Sequence, residues 1–530
     1  MSHAVSWLMR SDDVAAEFIE SRPLARSKAK SEDLQRYQDC LQDCSGHAIC
    51  NQFIESLRHA AAPTRLLYIE HDSCLRLYTV PQRERPPYAA LSYRWGLTQQ
   101  QEQAKTIITN VLDRHIKIDP SQLPQTIRDA IKVARFLKLS YLWVDALCIV
   151  QNDLSDLGTE IAKMASIYRG ATITIAAASA VSSTDGFLGD RDLASAYGEI
   201  FELPYRYRRG DHEARGSVLL SARSICDTYT EPIDERGWTM QEDMLSLRLL
   251  RFGSAQTTWR CPSVHKTIDG GGCPSPINQD MSFAVNNPYC VGETQSAITD
   301  SGRMGYSNVW EAWQQSISRY TRRELGNPGD RLPGCAALAE NFADIRSFES
   351  SDYLAGLWKG DIQAQLLWYR SPGSKSKRSS GPTWSWASVT GSVEFFPRYL
   401  LEDDFIVQAQ AKLDDSKMLY KRQSHSYAKA EPACLWLNGA LRQVQYDACH
   451  IRQGIEYREV LPLKIHWDSS TVHHPQTMWC FELVGSYLSL GLVLTMVSGT
   501  KFERIGLFEG HDPFVKQWFD GVKRQTIAIC

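Results

Sequence analysis

The chain has 530 residues, of which 43% are hydrophobic and 22% charged, and its formal net charge is −3. This balance is that of an ordinary globular protein and excludes a disordered chain, while the small negative charge argues against a nucleic-acid-binding protein. Fourteen cysteines are too few for a disulfide scaffold, and the N-terminus lacks the apolar stretch of a secretory signal. We therefore expect a cytoplasmic protein with free thiols and no membrane partner.

The first predicted elements run from the N-terminus to a buried strand. Residues 1–60 are charged and form a helical N-terminal segment, and the alternating apolar pattern over residues 64–80 predicts a hairpin. The apolar run that begins at Tyr88 predicts a strand. Apolar residues then recur at helical spacing over residues 127–137, which predicts an amphipathic helix.

A strand, helix, strand pattern follows. The near-continuous apolar run over residues 141–150 is typical of a strand buried on both faces of a parallel sheet. A second helix, capped by Asp156, and a strand over residues 172–179 come next. Alternation of strands and helices predicts the α/β class with a parallel sheet in residues 61–260.

The C-terminal half is predicted to be less regular. Residues 261–310 read as a loop-rich insertion, residues 311–370 as a helical segment, and residues 371–530 as a β-rich region packed on the core. The Trp384 and Trp386 pair has the spacing of a strand in a sheet core. The apolar window over residues 481–499 has nearly the length of a membrane span, but its charge and glycines favour paired strands in a soluble protein.

Four potential zinc ligands, Cys40, Cys44, His47 and Cys50, lie close together in the N-terminal segment. Because their spacing is helical, they would share one face of a helix, and one short helix cannot surround a metal ion. We therefore predict buried thiols and no metal site. The P-loop, HExxH, GxSxG and strand-linked GxGxxG motifs are also absent, so no standard nucleotide or hydrolase chemistry is indicated.

Four sequence blocks occur in the order found in the fungal heterokaryon-incompatibility (HET) family, which the chain resembles. They are YAALSYRWG at residues 88–96, the segment 123–153, the segments 163–179 and 185–191 taken together, and RGWTMQEDMLSLRLLRF at residues 236–252. The resemblance implies a core remotely similar to TIR domains, with a flavodoxin-like parallel sheet. It also implies a role in fungal non-self recognition and programmed cell death.

The likeness to TIR domains also implies a catalytic residue. Some TIR domains cleave NAD at the nicotinamide–ribose bond with a glutamate in a W-x-x-x-E motif, and Trp238 and Glu242 have this spacing. The resemblance thus implies that Glu242 is catalytic, that NAD is a substrate, and that no cofactor is required. The alternative is a glutamate on a helix surface, or one paired with Arg236 or Arg248.

Further ligand-binding candidates follow the predicted strands. Ligands of open α/β sheets bind beyond the carboxyl ends of strands, where the sequence has Tyr93, Arg94, Trp95, Asp145 and Gln151. Arg94 could hold a phosphate and Trp95 could stack on a base, and Trp238 joins this set through its motif. The alternatives are a structural ion pair for Arg94, packing for Trp95 and a turn cap for Asp145.

Three functional hypotheses remain open. The first is an NAD nucleosidase that acts on a small-molecule ligand, and the second is a non-enzymatic signalling module that associates with itself or with a protein partner. The third is a HET fold recruited to secondary metabolism as a cyclase or isomerase of the pericyclase type, which needs a shaped apolar pocket. A polar cleft near Glu242 favours the first, and an aromatic-lined cavity elsewhere favours the third.

Overall fold

The chain forms two compact units, Met1–Phe283 and Ala284–Cys530. The structure is a computed structural model. The structure describes residues 6–9, 13, 26–56, 61–71, 74–96, 98–194, 198–209, 212–221, 230–268, 307–375, 377–379, 381–397, 411–414, 427–428, 433–446, 451–453, 459–469, 475–485, 488–510 and 518–530. Most of the predicted insertion over residues 261–310 therefore lies outside the described residues.

The helices of the first unit lie mainly between the strands that they connect. In chain order they are α1 (Ser31–Ser45), α2 (Ala48–Ser56), α3 (Gln99–Ala104), α4 (Val111–Ile116), α5 (Gln125–Phe136), α6 (Asp145–Cys148), α7 (Leu154–Gly170) and α8 (Trp238–Leu245). The predicted amphipathic helix is confirmed as α5, whose apolar face is buried.

The strands of the first unit form two sheets. A small antiparallel sheet contains β1 (Ser6–Met9), β7 (Ile200–Arg209) and β8 (His212–Ser221). The main sheet contains β2 (Arg65–Tyr68), β3 (Arg76–Thr79), β4 (Ala89–Ser92), β5 (Tyr141–Trp143), β6 (Ile173–Ala176), β9 (Leu249–Phe252), β10 (Thr257–Arg260) and β11 (His265–Thr267). Within the described residues its order is β11-β10-β9-β6-β4-β5-β2-β3.

The centre of the main sheet is parallel. Strands β5, β4, β6 and β9 run in one direction, whereas β2, β3, β10 and β11 add antiparallel pairs at the two ends. All residues of β4 and β6 are buried, because helices cover both faces of such a sheet. The predicted α/β class and the predicted hairpin β2–β3 are confirmed. The finer likeness to TIR domains stays a prediction.

Two local predictions about this sheet are wrong. The apolar run over residues 141–150 is a strand only at Tyr141–Trp143 and then becomes helix α6, because an unbroken apolar run does not distinguish a strand from a buried helix. Helix α7 is capped by Asp153, which accepts from the N–H groups of Ser155 and Asp156. Asp156 instead forms an ion pair with Arg65.

The second unit combines helices with a large, mainly antiparallel sheet. Its helices are α9 (Ser307–Thr321), α10 (Pro333–Arg346) and α11 (Ile362–Gln365), and its short strands outside the large sheet are β12 (Tyr353–Leu354), β13 (Leu357–Trp358), β14 (Trp368–Arg370) and β15 (Val393–Phe395). The large sheet contains β16 (Lys412–Leu413), β17 (Leu435–Gly439), β18 (Leu441–Tyr446), β19 (Ile451–Gln453), β20 (Glu459–Leu461), β21 (Lys464–Trp467), β22 (Thr477–Gly485), β23 (Ser489–Ser498), β24 (Lys501–Gly510) and β25 (Gln525–Ile529).

The most apolar window of the sequence is confirmed as a strand pair. Strands β22 and β23 lie antiparallel to each other at the centre of this sheet. No helix in the described part of the chain is both long and apolar enough to span a membrane.

Two further expectations about the second unit need correction. Trp384 and Trp386 are fully buried, as expected for core residues, but they lie in a turn and a short 3-10 helix rather than in a strand. Ser385 caps this turn by accepting from the N–H of Ala387. The two tryptophans therefore have the spacing of a strand because they flank the capping serine of a turn. Cys434 and Cys530 form a disulfide, so the expectation of free thiols fails for this pair, which lies 96 residues apart in sequence.

Candidate functional site

Neighbouring parallel strands bring three of the predicted ligand-binding residues together. Tyr93 and Trp95 follow β4, and Asp145 opens α6 directly after β5. Because β4 and β5 are adjacent and parallel, their carboxyl ends meet at one edge of the sheet. The indole N–H of Trp95 donates to Asp145 Oδ2 at 2.8 Å, and the Tyr93 hydroxyl is also hydrogen-bonded to Asp145.

Glu242 reaches the same edge from helix α8. Its carboxylate accepts a hydrogen bond at 2.5 Å from Oγ of Ser92, which is the last residue of β4. The Tyr168 hydroxyl of α7 contacts the same carboxylate and lies 3.0 Å from the carbonyl oxygen of Leu91. With 4% exposure, Glu242 is buried, so its carboxylate is held by protein groups.

Arg236 supplies the positive charge of the site. Its guanidinium donates to the carbonyl oxygen of Tyr93 at 2.8 Å and lies 6.0 Å from the Trp95 ring centroid. The same guanidinium attracts the carboxylates of both Asp145 and Glu242. We call Ser92, Tyr93, Asp145, Tyr168, Arg236 and Glu242 the carboxylate cluster.

The carboxylate cluster favours protonated carboxyl groups. Burial raises the pKa of Glu242 to about 7, and the charge of Asp145 adds to this rise, while Arg236 and Ser92 oppose it. Burial also raises the pKa of Asp145, against the opposing effect of Arg236. Two carboxyls that share one guanidinium in a shielded site cannot both ionise easily, so the pair holds a proton near neutral pH.

Trp95 and Gly96 shape the accessible side of this edge. The Trp95 ring is partly exposed, and Lys105 Nζ lies 5.1 Å from its centroid. Gly96 has a φ of +72°, and a Cβ there would lie 2.7 Å from the Cβ of Ser182. Only glycine fits this turn without strain, which explains the end of the YRWG sequence.

The remaining predicted site residues lie beside the cluster rather than within it. Arg94 forms a partly exposed ion pair with Glu235 rather than with Asp145. The Gln151 side chain donates to the carbonyl oxygens of Asp145 and Ile149, at 3.0 and 3.3 Å, and thereby holds the end of α6. Trp238 is half-buried at the start of α8.

The alternative roles of the two carboxylates were a turn cap for Asp145 and an ion pair with Arg236 or Arg248 for Glu242. Asp145 Oδ1 accepts from the N–H of Ala146 at 2.7 Å, so the side chain does cap its own turn while Oδ2 faces Trp95. Glu242 lies near Arg236 as one alternative stated, but Arg248 donates instead to Cys44 Sγ and the carbonyl oxygen of Thr172.

Sequence reasoning did not identify Ser92, Tyr168 and Arg236 as site residues. Ser92 ends a strand whose other residues are apolar, whereas Tyr168 lies near the end of a helix of mixed composition, and both side chains are buried. A polar side chain at a buried end of a strand or helix is the signal that points to such residues. For Arg236 the sequence indicates only an alternative role, as an ion-pair partner of Glu242.

Residues of the first unit thus form a mixed α/β domain. Its buried carboxylate cluster lies at the edge where the parallel strands end. The family model for heterokaryon incompatibility protein (HET) matches residues 88–242, which include every residue of this cluster. This part of the chain is therefore similar to the HET domain. No curated protein and no solved structure gives a significant match to the chain.

Proposed function

We propose that this HET-domain protein cleaves the N-glycosidic bond of NAD with Glu242 as the catalytic carboxylate. We further propose that this cleavage serves non-self recognition and programmed cell death, as the resemblance to fungal proteins implies. The observation that carries the proposal is the environment of Glu242, a buried carboxyl with a pKa of about 7 beside Ser92, Asp145 and Arg236. Strongly shifted carboxyl groups at the ligand edge of a sheet mark candidate active sites.

The proposed reaction needs a negative charge rather than a nucleophile. The bond between C1′ of the ribose and N1 of the nicotinamide breaks, and nicotinamide leaves with the bonding electrons as a neutral molecule. The ribose becomes oxocarbenium-like, and the Glu242 carboxylate stabilises its positive charge. Water then adds its oxygen to C1′ and releases a proton to solvent, giving ADP-ribose.

The surrounding residues suit the parts of such a substrate. Asp145 can accept from a ribose hydroxyl, and the partly exposed Trp95 offers a ring on which a base can stack. Tyr93, Arg94 and Gln151 follow the strands that end at the same edge, and in this proposal Arg94 exchanges its partner Glu235 for a phosphate of the substrate. Because Glu242 is 4% exposed, the side chains that cover it have to move before a ribose can reach it.

A non-enzymatic signalling module is the second candidate, and the burial of Glu242 favours it. The carboxylate already has protein hydrogen-bond donors in Ser92 and Tyr168, as a structural glutamate would. The cyclase alternative requires an aromatic-lined cavity, and none of the cavities described next has that character. Three cavities formed by described residues of the first unit, with volumes of about 280, 240 and 490 Å³, have at most one aromatic residue each in their lining.

Incubation of the purified full chain with NAD, with products identified by mass spectrometry, tests the proposal. We expect nicotinamide and ADP-ribose from the wild type, and a loss of at least about 100-fold in Glu242→Gln. Glu482→Gln is the matched control, since Glu482 is an equally buried glutamate of the second unit. Wild-type protein that leaves NAD intact, or a fully active Glu242→Gln variant, would refute the enzymatic proposal and leave the signalling role.

A further inference from the structure

Three cysteines and one histidine converge at one point of the first unit. Cys44 lies in the last turn of α1, His47 lies between α1 and α2, and Cys50 lies in the first turn of α2. Cys261 joins them directly after β10, from more than 200 residues further along the chain. One sulfur or nitrogen atom from each residue lies within 4.8 Å of the other three.

The separations between these atoms fit the edges of a tetrahedron around a zinc ion. Zinc binds cysteine sulfur at about 2.3 Å and histidine nitrogen at about 2.0–2.1 Å, so tetrahedral edges from sulfur to nitrogen are about 3.6 Å. His47 Nδ1 lies 3.6 Å from Cys50 Sγ and 3.7 Å from Cys261 Sγ. Both distances match the spacing of two ligands of one ion.

A break between two helices makes this convergence possible. Helix α1 ends at Ser45, and Gly46 and His47 turn the chain before α2 begins at Ala48. Cys44 and Cys50 therefore belong to different helices, so the single helix assumed in the prediction of no metal site is not present. Cys40 lies outside the group of four and interacts with Lys266.

The neighbouring polar groups are those that metal-bound thiolates require. Arg248 is buried, and its Nε donates to Cys44 Sγ at 3.1 Å. Ser263 Oγ lies 3.3 Å from Cys50 Sγ, and the backbone of Ser263 is hydrogen-bonded to Cys261. Three thiolates and Zn²⁺ carry a net charge of −1, which the guanidinium of Arg248 balances in this buried position.

We propose that Cys44, His47, Cys50 and Cys261 bind one Zn²⁺ ion as a structural site. Four protein ligands fill the tetrahedral positions of zinc and leave none open for water or substrate, which is the arrangement of structural rather than catalytic zinc. Three of the ligands are buried and His47 is half-buried. The ion joins helices α1 and α2 to the end of β10, and this role is independent of the reaction at Glu242.

Zinc content of the purified full chain, measured by inductively coupled plasma mass spectrometry, tests the site. We expect about one zinc per chain in the wild type and loss of this zinc in Cys261→Ser. Cys148→Ser is the matched control and keeps its zinc, because Cys148 is a fully buried free thiol of the same core outside the cluster. Wild-type protein without zinc, with iron in its place, or with unchanged zinc in Cys261→Ser contradicts the proposal.

Two measurements keep the test decisive if Cys261→Ser fails to fold. His47→Cys retains four tetrahedral ligands and is expected to keep zinc, whereas His47→Ala loses it. Wild-type protein loaded with Co²⁺ is expected to show thiolate-to-cobalt charge-transfer bands and the strong visible bands of tetrahedral cobalt. The weak spectrum of octahedral cobalt, or equal zinc in both His47 variants, rules out this ligand set.

Discussion

Glu242 in the first unit and Glu482 in the second are buried glutamates with similar immediate surroundings. Their exposures are 4% and 5%, and each accepts a hydrogen bond from a serine, Ser92 at 2.5 Å and Ser489 at 3.2 Å. Burial raises the pKa of each carboxyl to about 7. Burial and a shifted pKa therefore do not distinguish a candidate catalytic group from a glutamate inside a sheet.

The two glutamates differ in the charged groups around them. Glu482 lies within β22 and pairs with Gly491 of the antiparallel strand β23, and the charges that act on it come from Asp520 and Arg524. Glu242 lies at the edge where parallel strands end, so several chain segments deliver polar side chains to it, among them Asp145 and Arg236. A sheet edge of this kind concentrates charge, whereas the interior of an antiparallel sheet isolates a single acid.

The largest expected effect concerns stability at different pH values, and here the two glutamates should behave alike. The unfolded pKa of each is 4.5 and the folded pKa about 7, so the folded chain holds a proton that the unfolded chain has released between these values. The stability from each carboxyl is present below pH 4.5 and lost as the pH rises through 7. This loss is on the order of 3 kcal/mol per group.

Urea unfolding of the wild type, Glu242→Gln and Glu482→Gln at pH 5 and pH 8 checks this expectation. Each glutamine removes one titrating group, so each variant should lose less stability than the wild type between the two pH values. If the stability of a variant depends on pH as strongly as that of the wild type, the pKa of the replaced glutamate is not shifted in the wild type.

A second, smaller effect separates the two sites. Arg236→Met leaves two buried carboxyls without their cation, so we expect the pKa of Glu242 to rise further and stability at pH 8 to fall by about 2–3 kcal/mol. Arg524→Met, beside Glu482, should cost less than about 1 kcal/mol because Arg524 is exposed. Urea unfolding of both variants measures the difference, and equal costs would mean that Arg236 does not serve the carboxylate cluster.

The serines give a smaller effect than Arg236→Met. Ser92→Ala and Ser489→Ala each remove a hydrogen bond to a buried carboxyl, which should cost about 1–2 kcal/mol. Because Ser92 lowers the pKa of Glu242, only Ser92→Ala should shift the rise of NAD cleavage with pH to higher values. Activity measured across the neutral range checks this, and a similar shift in Ser489→Ala would argue for an indirect cause.

Local sequence patterns predicted much of the first unit. The α/β class, the hairpin β2–β3, helix α5 and the buried strand β4 follow from apolar spacing over a few residues. The apolar pattern gave a wrong prediction where the same residues fit both a strand and a buried helix, as in the apolar run that divides into β5 and α6. It also failed at Trp384 and Trp386, where a serine-capped turn gives the spacing of a strand.

The candidate site was predicted in part. The sequence pointed to Tyr93, Trp95, Asp145 and Glu242, which do meet at one edge, because residues that follow parallel strands or share a family motif have predictable positions. It pointed to Arg94 as the ligand-binding cation and to Arg236 only as an alternative partner of Glu242, whereas Arg94 pairs with Glu235. The choice between Arg94 and Arg236 depends on side-chain direction after β4, which no local pattern encodes.

The sequence by itself determined the likeness to the HET family, part of the order of strands and helices, and the residue types available for chemistry. Only the tertiary structure decided which of these side chains meet. Ser92 and Glu242 are 150 residues apart in sequence, and Cys261 reaches Cys44, His47 and Cys50 from a distant strand. Such contacts arise because the sheet brings remote segments together, while spacing along the chain reports only on neighbours within a helix or strand.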